Sequence, residues 1–265
     1  MMRKLLLVVL CVWTLLLTAV FTERWVTLNH GQQVFEQMAE NVASIRAAEG
    51  ALKQEKMGEG NIKGASKETA GKQAENPEEV LPEYQELILE NPDFAGWVLI
   101  EGTKINYPVM QSMDEREYYL HRDFYRQDSF SGTPFAGSGD LQAKEDDLFI
   151  YGHHMKNGTM FTDLLKYREK EFWEAHPTVW LDNRYERREY MIFGALYAEE
   201  VQWLEKEGMF FGSFQRNREK RLEQLEDFWL YETGVVPDEK APLLFLVTCG
   251  YQKANDRFVV AAFQK

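Results

Sequence analysis

Apolar residues run without a break from Leu5 to Phe21, with Arg3 and Lys4 before them and Thr22-Glu23-Arg24 after. Such a run matches the shortest helix able to cross a bilayer, which needs about 17–25 residues. A cleavable signal has a shorter apolar region ending in small residues. Here Phe21 and charged residues follow directly, so an uncleaved anchor is expected, with a cleaved signal as its rival. Beyond it, Val34, Met38, Val42 and Ile45 recur at three- and four-residue steps among Glu, Gln and Arg. That spacing predicts a helix from Trp25 to about residue 56. It is expected to be a stalk packing loosely on the folded domain, the alternative being a partner-binding helix. Residues 57–79 are rich in Gly, Lys, Glu, Ala and Gln and lack an apolar face, which is linker composition.

The pattern changes near Val80. A short helix over 81–90 is stopped by Asn91-Pro92. Strand-like runs then occupy 97–100, 105–111, 148–151, 179–181, 189–197, 243–248 and 258–263, with turn signals such as Glu101-Gly102-Thr103 between several of them. Two helical stretches interrupt the series, 160–175 before Pro177 and a strongly charged 214–231 whose apolar face carries Leu222, Leu225 and Phe228. Many strands with few helices predict a β-barrel or sandwich with helical insertions. The chain thus divides into an anchor (1–24), a stalk and linker (25–79) and a folded domain (80–265).

Composition narrows the partners. The formal net charge is -13, from 43 acidic against 30 basic side chains. Nucleic acid is therefore not an expected partner, because phosphate neutralisation needs clustered Lys and Arg. Only Cys11 and Cys249 occur, and Cys11 lies inside the apolar run. If the remainder is exported, Cys249 has no disulfide partner there and is either a packed small hydrophobe or a reactive thiol.

The C-terminus offers chemistry for that thiol. Leu243 to Thr248 form a continuous apolar run, the pattern of a strand buried on both faces, and Cys249-Gly250 follow at once. Seven residues, Gly250 to Asp256, lead to Arg257 at the head of the next strand. Were the two strands a hairpin, Cys249 and Arg257 would face each other across one sheet end, and the guanidinium would favour the thiolate. Otherwise Arg257 is an ordinary solvated strand-end charge. The run Leu148-Phe149-Ile150-Tyr151-Gly152-His153-His154 is a second strand ending in reactive side chains. The other histidines are His30, near the apolar run, His121, among local hydrogen-bonding groups, and His176, at a helix end. His153 and His154 are thus the best partners for a thiol, and strand alternation lets only one of them face it. A zinc site fails on spacing, with no Cys-x-x-Cys and no His-x-x-His. The glycine-rich Phe135–Asp140 stretch matches no dinucleotide or P-loop pattern.

Thr248-Cys249 followed by Arg257, together with Tyr151-Gly152-His153, resembles the active-site signature of sortases. Asn91-Pro92-Asp93-Phe94-Ala95-Gly96-Trp97, Ile105-Asn106-Tyr107-Pro108-Val109, Tyr118-Tyr119-Leu120 through Asp123-Phe124, and Gly158-Thr159-Met160-Phe161 extend the resemblance to the class B branch. The glycine-rich Phe135–Asp140 stretch departs from the Asp-bearing segment many class B members carry there. The resemblance implies a mainly β fold, a sortase-type closed β-barrel with helical insertions after a transmembrane helix and stalk. It implies a membrane-anchored cysteine transpeptidase on the outer surface of a Gram-positive cell, N-terminus cytoplasmic, acting on exported proteins that bear a C-terminal sorting motif. By the same resemblance Cys249 attacks the Thr carbonyl of that motif, and His153 is general acid and then base. Arg257 holds the oxyanion with the Gly250 backbone N–H. The acyl group passes to an amine of the peptidoglycan precursor. His154 is a secondary candidate that shapes the pocket or lies exposed, and Thr248 either contacts substrate or finishes its strand. No cofactor and no metal are implied. The alternatives are a pilin-polymerising sortase, simple hydrolysis of the acyl-enzyme, or a non-catalytic anchored binding module.

Overall fold

The computed structural model of the chain describes residues 2–59, 79–144, 147–197, 222, 225, 228–238, 240–249 and 257–265, with backbone alone at 2–3, 5–9, 19–30, 53–59 and 249. Helix α1 (Met2–Glu59) and helix α2 (Pro82–Glu90) precede the strands β1 (Phe94–Leu99), β2 (Asn106–Met110), β3 (Phe135–Ser138) and β4 (Leu148–Tyr151). Helix α3 (Lys170–Ala175) comes next, then β5 (Thr178–Asn183), β6 (Glu189–Tyr197), β7 (Leu243–Cys249) and β8 (Arg257–Gln264). The eight strands close into a barrel in the order β1-β2-β3-β4-β7-β8-β6-β5. This is the expected mainly β, closed architecture with helical insertions.

Strand β7 shows why its sequence is apolar at every position from Leu243 to Val247. Leu244 and Leu246 point into the barrel and join the main core, whereas Leu243, Phe245 and Val247 join a second cluster on the outer face. Leu222, Leu225, Phe228 and Trp229 cover that outer cluster. With both faces buried, alternation of polar and apolar residues disappears. The predicted helix 214–231 lies largely outside the described residues, yet its apolar face supplies this cover.

Two local elements differ from the sequence expectation. The predicted helix 160–175 is a 3-10 helix, Phe161–Arg168, followed by the separate helix α3. Phe161, Leu164 and Tyr167 are all fully buried, a strict three-residue step that suits a helix of three residues per turn. Glu169 is extended (φ -101, ψ 126) and divides the two pieces. Strand β3 was not expected, because four residues including a glycine carry little strand signal. Gly137 is required there, since a Cβ would lie 2.5 Å from the Tyr151 ring.

Helix α1 enters the core rather than resting loosely on it. Phe35, Met38 and Val42 are 2%, 6% and 4% exposed within the main cluster. Phe35 meets Tyr107 edge-on at 5.6 Å. Arg46 then donates to Glu83 Oε1 at 3.0 Å, to the Tyr84 hydroxyl and to Asp182, while Tyr84 donates to Asp182 at 2.7 Å. Both carboxylates are almost fully buried, so this guanidinium fastens α1 to α2 and β5 at once. Among the described residues no helix is long and apolar enough to cross a membrane. The side chains at 5–9 and 19–21 of the expected span lie outside that description.

Candidate active site

Strands β4, β7 and β8 are neighbours in the barrel, and their registers bring the candidate residues to one rim. Strand β7 pairs antiparallel with β8, matching Val247 with Val259, Thr248 with Phe258 and Cys249 with Arg257. The hairpin expected from the sequence is therefore formed, in the register that sets positions 249 and 257 opposite each other. On its other side β7 runs parallel to β4, with Tyr151 beside Val247. Two residues further along these strands come His153 and Cys249. The ladder continues past the last registered pair, because Gly152 N–H donates to Val247 O at 3.1 Å.

Alternation assigns the faces. Phe149, Val247 and Val259 all belong to the outer cluster, and Arg257 shares the parity of Val259 on β8. Thr248 has the opposite parity and is 2% exposed. Its hydroxyl donates to Gly152 O at 2.8 Å, tying β7 to β4 directly beneath the rim. Gly152 itself leaves no room for a side chain, as a Cβ would lie 2.6 Å from Phe161 Cγ.

His153 is half-buried and firmly held. Its Nε2 lies 2.9 Å from Leu120 O, and a carbonyl only accepts, so Nε2 carries the hydrogen. Its own carbonyl accepts from Phe161 N–H at 2.9 Å. The His121 ring stacks on it with centroids 5.6 Å apart and planes 29° apart. Burial pushes the His153 pKa below its ordinary value, and the charges of His121 and Arg257 push it the same way, against the hydrogen bond to Leu120. Arg257 also acts on Tyr151, whose hydroxyl burial holds far above the usual tyrosine range. The guanidinium is thus within electrostatic reach of both the strand end and the imidazole. Among the described residues no cluster of three or more His, Cys, Asp or Glu is placed to hold a metal ion.

The sequence of residues 98–265 matches the family model of the sortase domain. Sortase B of Listeria monocytogenes is 33% identical over 180 residues, covering 68% of this chain and 72% of that protein. The chain belongs to the sortase family. The crystal structure of Clostridium perfringens sortase B is 31% identical, covers 68% of this chain and 98% of its own, and superposes with a TM-score of 0.60. The Staphylococcus aureus sortase B–substrate complex, at 22% identity, shares the fold with a TM-score of 0.67 over 89% of this chain and 97% of its own. Within the family this is a class B sortase, a cysteine transpeptidase of the sortase type.

Of the residues singled out from sequence, this sortase brings the backbone of Cys249, Arg257 and the Gly152-His153 strand end to one rim. His154 sits one position on, bridged to Met160. Gly250 lies outside the described residues. Thr248 is engaged with a backbone carbonyl. Two neighbours of His153 escaped sequence reasoning. His121 looked like a locally bonded side chain, and only its stacking reveals it. Leu120 acts through a carbonyl that every residue type possesses, so no sequence signal exists for it.

Proposed function

We propose that this sortase cleaves a C-terminal sorting motif of exported proteins and joins the acyl group to an amine of the cell-wall precursor. Cys249 is the nucleophile on the motif's Thr carbonyl. His153 protonates the leaving amine and then deprotonates the incoming one. Arg257 and the Gly250 N–H stabilise the oxyanion. The observation that carries these roles is the register match of Cys249 with Arg257 on a strand flanked by the His153 strand end. That the S. aureus sortase B, which shares this fold, has been solved as a substrate complex supports the reading. Residues 5–21 anchor the chain as a single-pass helix, with the barrel outside the cell and the N-terminus inside. Exposed Leu10, Val12, Trp13, Leu15, Leu16 and Leu17 support that placement, because a solvated helix would not present so large an apolar face.

The test is turnover of a sorting-motif peptide with an amine acceptor by the full chain and by Cys249→Ala, His153→Ala and Arg257→Ala. Each variant is expected to lose at least 10²-fold, on the scale of removing an acid–base or oxyanion group. Wild-type turnover in all three defeats the assignment. In a second arm, the full chain is expected to stay in the membrane pellet after carbonate extraction. Its release into the supernatant removes the anchor.

A further inference from the structure

A thiol–imidazole pair needs a third group to orient the imidazole, and in many enzymes that group is a carboxylate or an amide side chain. Among the described residues no such side chain bonds to the His153 ring. The partner there is Leu120 O, at 2.9 Å from Nε2. Leu120 lies in the 3-10 turn Tyr118–His121, far from β4 in sequence.

That turn is built as a fixed support. Leu120 N–H donates to Glu117 O at 2.9 Å, Thr133 N–H to Tyr119 O at 3.0 Å, and Ser129 N–H to His121 O at 3.0 Å. Tyr119 is 1% exposed, and its hydroxyl donates to Asp93 at 2.8 Å while accepting from Asn91 Nδ2 at 2.9 Å. Arg126 Nη2 closes the set on Asn91 Oδ1 and Asp93. The neighbouring carbonyls of the turn are thereby occupied by backbone donors, and the Leu120 carbonyl is turned to His153. Gly132 passes directly behind it with φ +57, and a Cβ there would lie 2.4 Å from Leu120 O. No side chain fits that gap without displacing the acceptor.

Resting on the acid–base role given above to His153, we infer that the Tyr118–His121 turn is the orienting arm of the active site. Leu120 O holds His153 as the Nε2–H tautomer, so that Nδ1 exchanges the proton with the thiol and the amines. Leu120 and Gly132 are positioning residues, and the stacked His121 ring covers one face of the imidazole. In the forward reaction Nδ1 takes the thiol proton as Sγ bonds to the carbonyl carbon, and gives it to the amine nitrogen as the scissile C–N bond breaks, leaving a thioester. It then takes a proton from the incoming amine as the new C–N bond forms, and returns it to Sγ as the S–C bond breaks.

The experiment is nitrogen NMR of the full chain labelled with 15N-histidine, with His153→Ala used to assign the signal. Neutral His153 is expected to show a protonated Nε2 and an unprotonated Nδ1. A protonated Nδ1 overturns the arm. Gly132→Ala is expected to mix the two tautomers and to lower kcat by about tenfold or more with KM unchanged, the scale of a sub-ångström misplacement. A folded Gly132→Ala protein with wild-type kcat and tautomer also overturns it. If that variant does not fold, the wild-type spectrum alone decides. Full turnover by His153→Ala would instead defeat the catalytic role of His153, whatever tautomer the spectrum reports.

Discussion

Replacing Thr248 by Val separates two roles for a residue that sits between the strand ends of the site. The hydroxyl is 2.8 Å from Gly152 O on a side chain 2% exposed. Valine keeps the branched shape and suits a strand, so the change deletes one part-buried hydrogen bond. That costs about 0.5–1.5 kcal/mol. For a domain of this size each kcal/mol shifts Tm by about 2–4 °C, giving a fall of roughly 1–6 °C. The lost bond also loosens β4 against β7 where His153 and Cys249 leave the sheet, so kcat is expected to drop by tenfold or more while KM holds. Thr248→Ser restores the donor and is expected to recover both. Thermal unfolding and steady-state kinetics on the sorting-motif peptide measure the two effects. A variant with unchanged Tm and raised KM would refute the stitch and make Thr248 a substrate contact.

Arg46→Met removes the cation that fastens α1 to the barrel, and unpairing buried carboxylates in this way costs about 3–5 kcal/mol in urea unfolding, less some relief from the partly exposed Arg46. Burial holds the Asp182 pKa above its ordinary value, against the pull of Arg46, and removing the arginine raises it further. The folded variant then binds a proton that the unfolded chain releases above about pH 4, so its deficit shrinks toward acid pH and grows as pH rises. A pH-independent deficit contradicts this. Arg257→Gln removes one of the charges that depress His153, so the ring titration followed by proton NMR is expected to move up toward its ordinary value. Because the depressed His153 resists protonation in the folded state, wild-type stability declines as pH falls below about 6.5, and the variant declines less. An unmoved midpoint places Arg257 too far away to act.

Short-range interactions are legible in this sequence, and long-range ones are not. Strands β4, β6, β7 and β8 were legible because their side chains are apolar or β-branched over long runs, and the β7–β8 hairpin followed from adjacency in the chain. With it came the facing of Cys249 and Arg257. The choice between His153 and His154 needed the family resemblance, since alternation says that one faces the thiol without saying which.

Every strand except β3, the apolar N-terminal run and the residues able to do thiol chemistry could be read from the sequence alone. Those follow from local side-chain pattern, which the chain carries whatever it packs against. The tertiary structure alone decided the parallel pairing of β4 with β7, the seating of α1 through Phe35, Met38 and Arg46, and the breaking of 160–175 into two helical pieces. It also chose the Leu120 carbonyl as the partner of His153 across 33 residues. Backbone carbonyls are identical in every residue, so only the closed barrel, with the 118–133 segment folded back onto its rim, selects which of them meets the imidazole.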